Sequence, residues 1–121
     1  TQSRSSAASD VYKRQLFAST REIPEAGAHL ETSIEAFPGT QWVQDDQCPE
    51  LPDVDRLTAL SVPTLLLTGE RDTEDFRLIA ELIASAGQDV TRIDHAGAGH
   101  LLNLEMPEGL AAEIAAFLSR P

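Results

Sequence analysis

The sequence predicts an α/β fold built on a parallel sheet, and three features carry that expectation. VPTLLLT, residues 62–68, is an unbroken apolar run of strand length that stops at Gly69. Strands covered by helices on both faces of a parallel sheet read this way. Thr73 to Ala86 then places Phe76, Ile79, Ala80, Leu82 and Ile83 at helical spacing. Val90 to Ile93 is a short, half-apolar strand candidate, followed by a glycine-rich loop and an amphipathic stretch from Pro107 to Leu118. Strand, helix, strand, loop, helix is the order expected of an α/β sheet.

Taken in order, Leu16 to Phe37 carries Leu16, Phe17, Ile23, Ala26, Leu30, Ile34 and Phe37, which fit one or two short helices. Pro24 suits a first helical turn, and Pro38-Gly39 ends the segment. Thr40 to Asp55 is irregular, punctuated by Trp42, Pro49 and Pro52, and Arg56 to Leu60 is long enough for one helical turn. Trp42 reads as a packed core residue before it reads as a pocket wall. Thr73 is the expected N-cap of the central helix, with Glu74 and Asp75 near the positive end of its dipole. Gly87 is the expected C′ residue. Pro107 suits the N1 position of the last helix.

The 121 residues, 41% of them apolar, fit one domain or part of a larger one. No apolar run approaches the roughly 20 residues of a membrane span, and no secretory signal pattern opens the chain. Cys48 is the only cysteine, which rules out an internal disulfide and makes a cytoplasmic setting the expectation. A net charge of −11 argues against nucleic acid, since phosphate binding needs a basic face. The basic residues are too scattered for a membrane-binding patch. Residues 1–15, TQSRSSAASDVYKRQ, have no hydrophobic period, as a disordered leader would. Their end, DVYKRQ, resembles the in-frame translation of a transposase-end sequencing adapter, so this leader is expected to be artefactual and excluded from fold reasoning.

In open α/β sheets, working residues gather beyond the carboxyl ends of strands. Asp72 follows the first strand almost at once, and His100 follows the second through the loop AGAG. One crossover helix lies between them, so parallel strands would bring both loops to one rim. Asp72 would then orient one imidazole nitrogen of His100, leaving the other for proton transfer. Gly97 and Gly99 would supply positive φ and close approach, with Leu101, Leu102 and Leu104 packing the far side of the loop. Taken singly, an aspartate after a strand is a cap residue and a histidine in a glycine loop is a turn residue; their joint placement favours the dyad. Glu70 and Asp75 are rivals for the acid, although Asp75 is better explained as a first-turn helix charge. His95 is the rival base but lacks the glycine bracket, and His29 reads as a surface residue. A metal site from His29, His95 and His100 has neither an i,i+4 pair nor cysteine support. Glu105 is expected to tie the loop to backbone groups, and Met106 to pack.

VPTLLLTGERD at 62–72 and GAGHLLNLEMPEGLAAEIAAFL at 97–118 resemble the acid strand and the histidine loop with closing helix of the α/β-hydrolase superfamily. The resemblance implies the C-terminal part of a doubly wound, mostly parallel sheet with flanking helices, incomplete in this chain. Residues 1–15 would be a leader, 16–55 the end of a helical cap and linker, and 56–121 part of the core. By position, Asp72 is the triad acid and His100 the triad base. The family's nucleophile sits in a G-x-S-x-G elbow ahead of both, and no serine here lies in such a motif. Cys48 also lacks the flanking glycines. The resemblance therefore implies a serine hydrolase of esters, lactones or similar small-molecule carbonyl substrates, related to enol-lactonases and carboxylesterases. It needs no cofactor and no metal, and its nucleophile lies outside this fragment, which alone is expected to be inactive and marginally stable. An aspartate nucleophile, as in dehalogenase relatives, and a non-catalytic α/β scaffold are the alternatives; the oligomeric state is left open.

Overall fold

A computed structural model describes residues 11, 12, 14–38 and 53–121 of the chain. The expectations attached to Trp42 and Cys48 lie outside the described residues, as do most of the leader and the irregular segment. Within the leader, residues 11, 12, 14 and 15 are helical.

Two helices come first, α1 (Ala18–Glu22) and α2 (Pro24–Ala36), with Pro24 opening the second. A 3₁₀ helix, Asp53–Ala59, leads to strand β1 (Thr64–Gly69). Helix α3 (Glu74–Ala86) crosses over to β2 (Val90–His95). A loop then reaches the short helix α4 (Leu102–Glu105) and the closing helix α5 (Pro107–Leu118). The strands pair in parallel from Thr64↔Val90 to Gly69↔His95, and they are the whole sheet among the described residues. This is the expected α/β order with the expected parallel pairing.

The differences have local causes. β1 begins two residues later than the apolar run, because Pro63 offers no N–H to a ladder and Val62 is 61% exposed. β1 is half-buried along most of its length rather than enclosed on both faces. Helix α3 packs on both strands, whereas no strand covers the second edge of β1 among the described residues. β2 runs on through Asp94 and His95 because its polar end is tied across the sheet. Thr68 donates its hydroxyl to Asp94, whose carboxylate also accepts from Arg92 at 2.9 Å. The Thr68 hydrogen bond holds the Asp94 carboxyl below its usual range; burial opposes this and Arg92 adds to it.

Both expected caps of α3 work differently. The Thr73 hydroxyl makes no capping bond and is buried without a partner among the described residues. Instead the Asp72 side chain accepts from the Thr73 backbone N–H at 2.7 Å. Gly87 is extended, with φ −70° and ψ 150°, so it is not the left-handed C′ residue. A Cβ there would run into Val90, and close passage of the chain explains the glycine. Helix α4 was not apparent in the sequence; at four residues it is shorter than any hydrophobic period can reveal.

Among the described residues the buried apolar side chains are few: Ala26 and Leu30 of α2, Ala80 of α3, Ala98 of the loop and Leu102 of α4. Thr20 of α1 is 0% exposed at the centre of this packing. Helices α1 and α2 therefore rest on α4, beside the loop that follows β2. No helix among the described residues is long and apolar enough to cross a membrane.

Candidate functional site

Parallel pairing of Gly69 with His95 sends both chain exits to one rim of the sheet. Three residues after Gly69 stands Asp72, fixed by a turn in which its N–H donates to Gly69 O at 3.1 Å. Five residues after His95 stands His100. The imidazole Nδ1 of His100 lies 2.9 Å from Asp72 Oδ2 and 3.1 Å from Oδ1. The sequence-predicted pair is thus brought into direct contact.

Their exposures differ in a useful way. The Asp72 side chain is 7% exposed and that of His100 is 25% exposed, so the carboxylate lies behind the ring. As a carboxylate Asp72 can only accept, which places the proton on Nδ1 and the lone pair on Nε2. Nε2 makes no hydrogen bond among the described residues. Phe76, one turn into α3, packs on the imidazole with ring centroids 4.4 Å apart and planes tilted by 43°. A cavity of about 200 Å³ is lined by the pair itself and by residues that include Phe76, Ile79, Ile83 and Leu102. The arrangement can take a proton at Nε2 and stabilise the resulting imidazolium through Asp72.

The loop that carries His100 is held at successive residues. Gly97 has φ +76°, the left-handed conformation expected of a glycine there. Gly99 does not share it: its φ is not positive, and its role is close approach, since a Cβ would collide with Ser19. Ala98 O accepts from Arg71 N–H at 2.9 Å, joining the loop that carries His100 to the one that carries Asp72. Gly99 N–H donates to Glu105 Oε2 at 2.6 Å. The other Glu105 oxygen accepts from Ser19 at 2.9 Å and Thr20 at 2.6 Å.

On the outer side, Arg71 grips Glu22 with two bonds of 2.7 and 2.8 Å. The Arg71 hydrogen bond holds the Glu22 carboxyl below its usual range, and Glu22 raises the Arg71 guanidinium in return.

The rivals fall elsewhere. Glu70 and Asp75 are exposed, and Asp75 sits in the first turn of α3. His95 Nε2 lies 2.9 Å from Glu113 Oε2 of α5, off the line of a hydrogen bond. His29 is exposed on α2. No group of three metal-ligating side chains comes together among the described residues. Sequence reasoning missed the Phe76 contact, because the helical period marks Phe76 only as a core residue. It also missed Ser19 and Thr20, whose polar type in a short helix gives no sign of a partner 86 and 85 residues away. Compared with family models, with curated proteins and with solved structures, the chain finds no match.

Proposed function

We propose that Asp72 and His100 are the acid and base of a serine-type α/β hydrolase acting on an ester, lactone or similar small-molecule carbonyl substrate. The observation that carries this reading is the Asp72–Nδ1 contact at the ends of two parallel strands, with Nε2 unengaged among the described residues. In this reading the described residues form the end of the hydrolase sheet, and α1 and α2 belong to the end of its cap. The nucleophilic serine comes from sequence outside these 121 residues.

The serine hydroxyl attacks the substrate carbonyl carbon while Nε2 takes its proton. Asp72 stabilises the imidazolium without itself becoming protonated. Nε2–H then protonates the leaving oxygen, and the C–O bond breaks to leave an acyl-enzyme. Water repeats the sequence, giving its proton to Nε2 and its oxygen to the acyl carbon, and the serine departs with the proton.

The test joins the chain to its upstream coding sequence and follows p-nitrophenyl ester turnover. His100→Ala is expected to reduce kcat by about 10³-fold or more. Equal rates for the variant and the parent would overturn the assignment. The 121-residue chain alone is expected to turn over nothing above buffer.

A further inference from the structure

Resting on the dyad reading above, we infer that Glu105 is the positioning residue for His100, acting as a clamp between helix α1 and the loop that carries the base. One carboxylate gathers three donors from two remote parts of the chain. Oε2 takes the Gly99 N–H, directly before His100, at 2.6 Å. Oε1 takes the hydroxyls of Ser19 and Thr20 at 2.9 and 2.6 Å. Ser19 and Thr20 are 5% and 0% exposed, so water cannot readily replace Glu105 from that side. Hydrogen bonds to an ionised acceptor are shorter and about twice as strong as neutral ones.

The geometry explains why the loop needs such a clamp. His100 has Asp72 as its only side-chain hydrogen-bond partner among the described residues. Its backbone follows Gly97 and Gly99, the two residues least able to hold a direction by themselves. Arg71 N–H fixes Ala98, and Glu105 fixes Gly99. Removing Glu105 leaves the Gly99 N–H unpartnered and frees the peptide that aims the ring. It also parts the loop from α1, against which Gly99 is packed closely enough to exclude a Cβ.

The chain itself supports the test, with ring-¹⁵N-labelled histidine observed by NMR and His100 assigned from His100→Ala. The parent is expected to show a protected Nδ1–H for His100 and the ring shifts of a single tautomer. Glu105→Ala is expected to speed exchange of that proton on the order of tenfold or more and to move the ring shifts toward a tautomer mixture. Glu105→Gln is expected to restore both signals, because its carbonyl can accept from Gly99 while its amide donates to the two hydroxyls. Leu102→Ala loosens the same helix without cutting these bonds. The clamp is overturned if Glu105→Ala leaves the resonance intact, or if Leu102→Ala abolishes it equally. Should Glu105→Ala lack amide dispersion, the Ser19→Ala/Thr20→Val double variant decides: faster exchange supports the clamp, and an unchanged resonance overturns it. A parent lacking the protected proton would instead remove the Asp72–His100 pairing itself, which separates the two failures.

Discussion

At the scale of single residues, the contact between Asp72 and His100 sets a tautomer, and a tautomer can be reversed by an isosteric change. Asn in place of Asp72 can present its amide N–H to Nδ1, which moves the imidazole proton to Nε2 and removes the base. If the proposed hydrolase reading holds, Asp72→Asn in the chain joined to its upstream coding sequence is expected to lower kcat about 10³- to 10⁴-fold with the fold intact, measured by ester turnover beside circular dichroism. The loop glycines should separate by mechanism. Gly97→Ala meets open space and suffers only from φ +76°, at a cost of about 1–2 kcal/mol. Gly99→Ala meets Ser19, so α1 must shift, at a cost of about 1–3 kcal/mol. Urea unfolding should show both losses, and only Gly99→Ala should perturb the amide signals of α1. The meeting of Asp72 and His100 was legible in the sequence because each follows a strand end and one crossover helix separates them. Their supporting contacts were not, because Ser19, Thr20 and Phe76 acquire partners only through tertiary packing.

At the scale of elements, local pattern located every long element and mistook how several of them end. The apolar run announced β1, yet Pro63 delayed its start. Thr73 and Gly87 have the residue types of caps, but the Thr73 hydroxyl makes no capping bond, and close packing at Val90 explains the glycine. The polar end of β2 was not foreseen because Asp94 and His95 look like loop until Thr68 is placed beside them. That bond also carries a pH dependence. The folded pKa of Asp94 is depressed, so its stabilisation is fully present above the unfolded value of about 4 and is lost as pH falls through the folded one. Asp94 is 44% exposed, which keeps the contribution below about 1 kcal/mol after solvent screening. Thr68→Val should therefore flatten the decline in urea midpoint below about pH 4 and leave higher pH nearly parallel to the parent.

At the scale of the molecule, the chain carries a net charge of −11, and among the described residues few large side chains are buried. Self-repulsion works against the compact state, and salt screens it. The Tm is expected to rise by a few degrees between about 20 and 300 mM NaCl, as followed by circular dichroism; a fall would show that exposed ion pairs such as Arg71–Glu22 outweigh the repulsion. Leu78, Ile79 and Leu82 of α3 and Ile114 and Leu118 of α5 are all exposed. Together with the edge of β1 that no strand among the described residues pairs, they lead us to expect dye binding to apolar surface and concentration-dependent association by light scattering.

The parallel ladder also sets a schedule. A hairpin closes its first rung as soon as its turn forms, but Thr64 cannot meet Val90 until the whole of α3 lies between them. Asp72 and His100 stand 28 residues apart across that crossover, and closing such a span costs on the order of 3 kcal/mol in chain entropy before any contact repays it. The pair is consequently a late event in refolding. After dilution from denaturant, helical signal should return ahead of the protected His100 proton, whose appearance marks the moment the two strands meet.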